Sequence, residues 1–325
     1  MKSAHAVAAL VAILNLDAAA LQAGNDIYPA RPVRLIVPGP AGGGLDVIAR
    51  AVVQQLSERS RGQFYIENLS GAGGSIGSSS AARAPADGYT LLVINQDYII
   101  HPLIKTKLAY DPFTSFTPVT LVATAPETLL VNPSVPANNM KELIDVLKAN
   151  PGKYNYATPG YGTSPHLASE RLFKLTLNTD VVHVPFQGAP PAIAATIAGN
   201  TQILHVTLPL VARHVKDGRL RALALASRKR VAEFPDIPTL AEAGIQDHEV
   251  SFWVGIVAPE GTPRAAIEWL QREIKQATSQ SAGKTKLESL GFEPIAGTPD
   301  ELQRHIKSEA DRWSKVVRDA NIQVQ

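Results

Sequence analysis

The sequence contains no cysteine. This absence excludes disulfide bonds, thiol nucleophiles and metal sites with cysteine ligands. It also excludes a lipid anchor on an N-terminal cysteine. If the chain is exported, we therefore expect a free protein and not a lipoprotein.

An excess of charge of one sign is also missing. The chain has 31 Lys and Arg residues against 29 Asp and Glu residues, a formal net charge of +2, and no block rich in Lys or Arg. Proteins that bind nucleic acid usually carry a basic patch or stripe. We therefore predict no nucleic-acid partner and no polybasic attachment to a membrane surface.

Apolar runs long enough to cross a membrane are absent as well. The apolar stretch at 6–16 follows Lys2 and is too short to span a bilayer. Small residues come next, which is typical of a secretory signal peptide cleaved after Ala20 or Ala23. A buried N-terminal helix is the alternative. We predict a signal peptide over residues 1–24 and a mature protein that is periplasmic and soluble.

From residue 28 onward, short apolar runs alternate with helical patterns. The run VRLIVP at 33–38 predicts a strand, and the apolar spacing at 45–60 predicts an amphipathic helix. This alternation continues through most of the chain. It predicts an α/β protein with right-handed crossovers and a mostly parallel sheet.

Two extended segments with several prolines interrupt the alternation, at 110–139 and 250–263. We interpret them as strands that cross between two domains. The predicted domains are residues 25–125 with 250–325, and residues 126–249. Ligands of open α/β sheets bind at the carboxyl ends of the strands, so a cleft between the domains is the expected site.

Glycine-containing loops lie between predicted strands and helices at four places. They span 38–46, 68–77, 158–166 and, with a weaker pattern, 186–192. The first turn of a helix has unpaired N–H groups and the positive end of the helix dipole, so such loops attract anions. The alternative is that these glycines only form tight turns.

Nucleotide motifs do not fit these loops. The segment at 282–285 reads AGKT, but Thr278 stands where a P-loop needs glycine. The segment GAGGSIG at 71–77 places its last glycine one residue too late for a dinucleotide fingerprint. We predict no nucleotide and no other cofactor.

Two patterns in the sequence resemble those of enzymes. GGSIG centres on Ser75 and matches the hydrolase motif G-x-S-x-G, but SGAG separates it from the preceding predicted strand. An exported serine hydrolase using Ser75 is therefore the enzymatic alternative. His166 and Glu170 share one helical face, but alone they do not make a metal site. We predict a solute-binding protein with no catalytic residues and no metal.

Several ordered segments carry a resemblance to a known family. They are YPARPVRLIVPGPAGGGLDVIARAVVQQL, ENLSGAGGSIGSSSAARAPADGYTLLV, YATPGYGTSPHLASE, HVPFQGAPPAIAATIAGN, LRALALASRKRVAEFPDIPTLAEAG and FWVGIVAPEGTP. From about Tyr28 to the C-terminus, the chain resembles the Bug family, the periplasmic substrate-binding proteins of tripartite tricarboxylate transporters.

This resemblance implies a type II periplasmic-binding-protein fold, with two doubly wound α/β domains joined by a two-segment hinge. It also implies a small carboxylate ligand in the cleft. Family members hold one carboxylate through the backbone and ordered waters of the first two glycine loops, which here means Pro40, Ala41, Gly42, Gly43, Gly73 and Gly74. Asp46 matches the family's acid after the glycines, and we interpret it as a helix cap. Ser164 and His166 match a Ser…His pair that could fix the other end of the ligand.

Contacts from the second domain are expected at Gly160, Gln187 and Gly188. Positions at which this chain departs from the family pattern are expected to affect which ligand it binds. The stretch at 199–206 carries neutral residues and His205 where the family often has an acid, which disfavours amino-acid ligands. Gln96 and Tyr98 follow the third strand, where small residues are common in the family. Tyr98 would narrow the pocket or stack on an aromatic carboxylate, or else pack in the core.

The resemblance also implies membrane transporter subunits as partners of a monomeric receptor. A ligand-sensing receptor component would bind its ligand in the same way.

Overall fold

The computed structural model describes residues 28–60, 62–105 and 107–319. The predicted signal peptide at 1–24 lies outside these ranges. Within them, no helix combines the length and the apolar character needed to cross a membrane.

The described strands, in chain order, are β1 Val33–Val37, β2 Phe64–Asn68, β3 Thr90–Ile94, β4 Phe116–Val131, β5 Asn155–Thr158, β6 Val182–Pro185, β7 Ile203–Thr207, β8 Arg221–Leu225, β9 Ser251–Pro259 and β10 Glu293–Pro294.

The α-helices are α1 Gly44–Arg59, α2 Ser75–Ala82, α3 Asp97–Ile104, α4 Met140–Ala149, α5 Ser164–Glu170, α6 Ala189–Ile197, α7 Ala212–Lys216, α8 Arg264–Ser279, α9 Ser281–Ser289 and α10 Pro299–Asp319. A 3₁₀ turn, Ala72–Gly74, precedes α2, and a π-helical turn, Arg171–Thr176, extends α5. No helix is predicted from the sequence pattern at α3, which contains Pro102. Proline disfavours a helix interior.

The long strand β4 takes part in two sets of strands. From Phe116 to Pro126 it pairs with β9, and from Glu127 to Val131 it pairs with β7 and β8. On one side the strand order is β2-β1-β3-β9-β4, and on the other it is β4-β7-β5-β6. We call the β1, β2, β3 and β9 side the first half and the β5–β8 side the second half.

The sheet is mixed, which corrects the expectation of a mostly parallel sheet. Strands within each half that are joined through helices pair in parallel, as β1 does with β2 and β3. The crossing strands pair antiparallel, as β9 does with both β3 and β4. The reason is that β9 returns from the second half beside the strand that left the first, so it runs in the opposite direction.

Helices cover both faces of each half. In α1, Leu45, Ile48 and Leu56 pack in one core cluster with β1. The last helix, α10, connects the halves: Leu302 packs in a cluster of the first half, whereas Trp313 packs in a cluster of the second. This arrangement holds the two halves together on the side built by the crossing strands and α10.

Candidate functional site

A cleft of about 520 Å³ lies between the two halves. Its walls are loops at the carboxyl ends of β1, β2 and β3 on one side and of β5, β6 and β7 on the other. The lining comes mainly from residues 38–45, 70–74, 159–165 and 185–189. These are the four glycine-containing loops of the sequence analysis.

The first loop opens onto the N-terminus of α1. Gly43 is the N-cap residue, and no side chain caps this helix end. Gly43 and Gly44 both line the cleft. The first-turn N–H groups have no partner within a helix, so this helix end can receive an anion.

The side chain of Asp46 fixes the conformation of this loop through hydrogen bonds. Its Oδ2 accepts a hydrogen bond from the Gly42 N–H at 2.9 Å and one from Arg50 Nε at 2.8 Å. Its Oδ1 accepts from Asn68 Nδ2 at 3.0 Å, and Asn68 also donates to the Gly39 carbonyl at 3.0 Å. Burial alone would raise the pKa of Asp46, but the three hydrogen bonds outweigh it and the pKa is lowered. Asp46 therefore positions the loop through its side chain and is not the N-cap residue.

Replacing Asp46 with asparagine is expected to lower the free energy of unfolding at pH 7 by about 2–3 kcal/mol, because charge-assisted hydrogen bonds to a buried group are lost. Urea denaturation measures this loss. The matched control is Asp145→Asn, since Asp145 is exposed and pairs with Lys141 at 3.8 Å. This variant should stay within about 0.5 kcal/mol of the parent. Equal stabilities for the two variants would contradict this role for Asp46.

The second loop packs directly against the first. Gly74 has a φ of 106°, and a Cβ atom there would lie 2.8 Å from the Pro38 carbonyl oxygen. Only glycine adopts this conformation readily and permits this approach. Gly74 is also the N-cap residue of α2, which has no side-chain cap, so a second helix end opens near the first.

A third open helix end comes from the second half. Gly188 is the N-cap residue of α6, again without a side-chain cap, and its φ is 112°. A Cβ atom at Gly188 would lie 2.3 Å from Pro40 Cγ. The two halves therefore touch across the cleft at Pro40 and Gly188, and side-chain bulk at Gly188 would hold them apart.

The N-terminus of α5 is different because a side chain already occupies it. Asp97 Oδ1 accepts a hydrogen bond from the Ser164 N–H at 2.9 Å. Gln96 Nε2 donates to Ser164 Oγ at 2.8 Å. These bonds join the first half to the second. Ser164 therefore lines the cleft, but its hydroxyl already accepts a hydrogen bond from Gln96.

The structure brings eight of the sequence-predicted residues to the cleft lining and places seven outside it, of which Ala41 and Gly42 are exposed to solvent. The eight are Pro40, Gly43, Gly73, Gly74, Gly160, Ser164, Gln187 and Gly188. The seven are Ala41, Gly42, Asp46, Gln96, Tyr98, His166 and His205. Two of these seven hold the lining loops in place: Asp46 accepts a hydrogen bond from Gly42 in the first loop, and Gln96 donates one to Ser164.

Tyr98 lies in the core and not in the pocket. It is 3% exposed and stacks on Tyr110 with 5.3 Å between ring centroids, and its hydroxyl donates to the Pro112 carbonyl. In α3 its side chain turns away from the cleft that Asp97 faces. The contacts correspond to the packed-core alternative of the sequence analysis.

Both predicted histidines are buried behind the second wall. His166 Nδ1 accepts from the Gly162 N–H at 3.2 Å, and its ring stacks on His183 at 4.1 Å. His205 Nδ1 lies 2.9 Å from Ser169 Oγ. Burial lowers the pKa of His166 and of His205 to about 4. Both are therefore neutral at pH 7 and support the loops from within.

Three charged residues line the cleft that the sequence analysis did not single out: Asp97, Lys105 and Glu127. Burial raises the pKa of Asp97 to about 6. Burial and then repulsion by Asp97 raise the pKa of Glu127 to about 8. The sequence does contain a feature that could have identified Glu127, which is the single acid in the apolar run of the crossing strand β4. Such an acid is a candidate functional residue because acids are almost never fully buried without a partner.

The geometry at Ser75 is not that of a nucleophile elbow. Ser75 begins α2 after a 3₁₀ turn, its hydroxyl donates to the Ala72 carbonyl at 3.0 Å, and Lys105 Nζ donates to it at 3.3 Å. No hydrogen bond joins it to a histidine in the described ranges. Nor do those ranges contain a group of three His, Cys, Asp or Glu side chains placed to hold a metal ion.

Comparisons with known proteins agree with one another. A family model described as "Tripartite tricarboxylate transporter family receptor" matches residues 48–322. Protein BugT of Bordetella pertussis is 33% identical over 302 residues, which cover 92% of this chain and 92% of BugT.

Two solved structures with bound ligands are similar over nearly their whole length. The structure of R. palustris Rpa4515 with adipate has a TM-score of 0.88 and 33% identity, covering 91% of this chain and 99% of that one. The structure of MatC from Rhodopseudomonas palustris with bound malate has a TM-score of 0.84 and 30% identity, covering 89% and 100%. Both relatives therefore hold a small carboxylate on a closely similar backbone.

Proposed function

Since this chain belongs to the tripartite tricarboxylate transporter receptor family, a family of binding receptors and not of enzymes, we propose that it captures a small carboxylate in the cleft between its two halves. Membership of this family does not support the alternative of a serine hydrolase that uses Ser75. We further propose that the mature receptor is periplasmic and monomeric and delivers its ligand to membrane transporter subunits.

The observation that carries the proposal is the meeting of three helix N-termini in one cleft. The ends of α1, α2 and α6 lack side-chain caps, and their N-cap residues Gly43, Gly74 and Gly188 all line the space. At α1 and α2, unpaired N–H groups and the helix dipoles favour an anion. At α6, the first-turn residues Pro190 and Pro191 have no N–H, so that helix end contributes mainly its dipole. The adipate and malate bound to the two relatives support a carboxylate as that anion.

We propose residues 25–125 with 250–325 as one domain and 126–249 as the other. The exchange of partners along β4 supports this division, because Pro126 pairs with β9 and Glu127 with β7. In this mechanism the first domain receives the carboxylate through α1 and α2. Contacts at Gly160, Gln187 and Gly188 then favour the closed form. The ligand shifts the equilibrium only by its preference for the closed form over the open one.

A thermal-shift screen of the refolded, ligand-free protein tests the proposal. The panel contains mono-, di- and tricarboxylates, aromatic carboxylates, amino acids, nicotinate and nucleotides. A ligand at 100 times its Kd should stabilise the protein by about 2.7 kcal/mol, which is a clear shift in Tm. We expect at least one carboxylate class to do so. Stabilisation by nucleotides alone, or by nothing in the panel, would contradict the proposal.

A further inference from the structure

Glu127 occupies an unusual place in the cleft. It is the first residue of β4 that pairs with β7, its partner there is Thr207, and its side chain is only 1% exposed. Glu127 nevertheless lines the cleft. It therefore lies at the base of the space, where the crossing strand passes from one half to the other.

One oxygen of this carboxyl group has no partner. Oε1 accepts a long hydrogen bond from Thr207 Oγ1 at 3.4 Å. Oε2 is buried and finds no hydrogen-bond partner among the described residues. A buried acceptor left unpaired is unfavourable, so a ligand that supplies a donor at this point would satisfy it.

Asp97 is a second acid near Glu127, but both of its oxygens already accept hydrogen bonds. Its Oδ1 accepts from the Ser164 N–H at 2.9 Å and its Oδ2 from Asn95 Nδ2 at 3.2 Å. Lys105 is the one basic side chain among the described lining residues, and two of its three donors are used by the Ala72 carbonyl and Ser75 Oγ. The charged side chains of the lining are thus two acids and one base.

We propose that the ligand of this cleft is a carboxylate that also carries a protonated amino group, and that Glu127, with Asp97 beside it, binds the ammonium. This inference rests on the proposed function. It reverses the expectation, drawn from the neutral residues at 199–206, that amino-acid ligands are disfavoured. The required acid comes from the crossing strand β4 and not from β7.

The charges favour an ammonium over a second carboxylate. A protonated Glu127 could donate to a carboxylate, but Asp97 would repel that carboxylate, and two of the three Lys105 donors are directed at Ala72 and Ser75. An ammonium donates to the free Oε2 and is attracted by both acids. The facing elements add no further charge at pH 7. The strand β7 contributes Thr207 and, on the same face, His205, whose pKa burial lowers to about 4, and the loop before α5 contributes Tyr161 and Ser164.

The protonation of Glu127 gives this ligand a measurable signature. Burial and repulsion by Asp97 raise the pKa of Glu127 to about 8, so the empty cleft holds it mostly protonated at pH 7. A bound ammonium stabilises the ionised form. Binding should therefore release close to one proton at pH 7 and far less at pH 9, where Glu127 is already ionised.

Isothermal titration calorimetry with matched ligand pairs tests the proposal. The pairs are 5-aminopentanoate against adipate, and glutamate against 2-hydroxyglutarate, each measured in two buffers with different enthalpies of ionisation. We expect the better amino member to bind at least about tenfold more tightly than its partner, with proton release at pH 7. Tighter binding of the dicarboxylate or hydroxy acid, or equal affinities, would overturn the inference and leave the carboxylate receptor standing.

Variants separate a specific role of Glu127 from a structural one. Glu127→Gln should lose the preference for amino ligands and the proton release, while adipate binds as well as before or better. Glu268→Gln is the matched control, since Glu268 is 60% exposed on α8; it should change neither quantity. Retention of the amino preference in folded Glu127→Gln would overturn the assignment. If the parent protein binds neither member of any pair, the inference fails, whereas the proposed function fails only if no carboxylate of the thermal-shift panel binds.

Discussion

Replacing Gly43 with aspartate is expected to raise the Kd for the carboxylate ligand at least about 100-fold, equivalent to about 2.7 kcal/mol. The new carboxylate would lie at the N-terminus of α1, where it would accept hydrogen bonds from the first-turn N–H groups. The ligand would lose those donors and would also meet a like charge. Both effects act at the helix end that we propose as the anion site.

The fold should tolerate this change. Gly43 has φ −75° and ψ 166°, an extended conformation that any residue adopts. Aspartate is among the preferred N-cap residues. A Cβ atom at this position would lie 3.2 Å from the Pro40 carbonyl oxygen, so a shift of a few tenths of an ångström suffices. The free energy of unfolding should therefore change by less than about 1 kcal/mol.

Calorimetric titration with the best carboxylate of the screen measures the change in Kd, and urea denaturation checks the fold. Gly43→Ser is the matched control, because serine caps the helix without a charge and should cost no more than about tenfold in Kd. Near-normal affinity in folded Gly43→Asp would count against a carboxylate at the N-terminus of α1.

Acidification of the ligand-free protein from pH 7 to pH 5 is expected to lower the free energy of unfolding by an amount on the order of 4 kcal/mol. Four histidines are at most 6% exposed: His101, His166, His205 and His248. Burial lowers the pKa of His101 to about 3 and that of each of the other three to about 4. They are neutral in the folded protein over this range.

The sign follows from proton binding in the two states. Below the ordinary histidine pKa of about 6.5, the unfolded chain binds protons that the folded chain does not, so each such histidine costs up to about 1.4 kcal/mol per pH unit. Asp97 and Glu127 act in the opposite direction, because their raised pKa values keep protons on the folded state. The histidines outnumber the two acids, and stability falls.

The variant His101→Leu tests the cause. Neither ring nitrogen of His101 has a hydrogen-bond partner among the described residues, so an apolar replacement removes no bond. The variant should reduce the stability change between pH 7 and pH 5 by roughly 2 kcal/mol. Urea denaturation at both pH values provides the measurement. An unchanged pH dependence in this variant, or equal stability of the parent at pH 7 and pH 5, would refute the explanation.

Much of the fold follows from local patterns of apolar residues, glycine and proline in the sequence. The apolar run before the first glycine loop is β1, and the amphipathic spacing after it is α1. The proline-rich segments contain the crossing strands β4 and β9. Helix α3 could not be predicted in this way, because Pro102 interrupts its pattern and packing of Ile100 and Ile104 in the second-half core stabilises it.

The site, like the fold, depends partly on local sequence patterns and partly on contacts between distant residues. Glycine loops between strands and helices predict open helix ends, since strand ends, glycine and unpaired N–H groups are local properties. Which ends stay open is not local. The N-terminus of α5 is occupied by Asp97, 67 residues earlier in the chain, whereas the ends of α1, α2 and α6 remain uncapped.

The sequence alone therefore determined an α/β chain without thiol chemistry, without a basic surface block, and with anion-ready loops at the ends of its strands. Only the tertiary structure decided that Tyr98 packs in the core and that Glu127 reaches the base of the cleft. Glu127 meets Thr207 across 80 residues of sequence. That contact depends on the register of β4 against β7, and the register is fixed by packing of the whole sheet, which no local stretch of sequence contains.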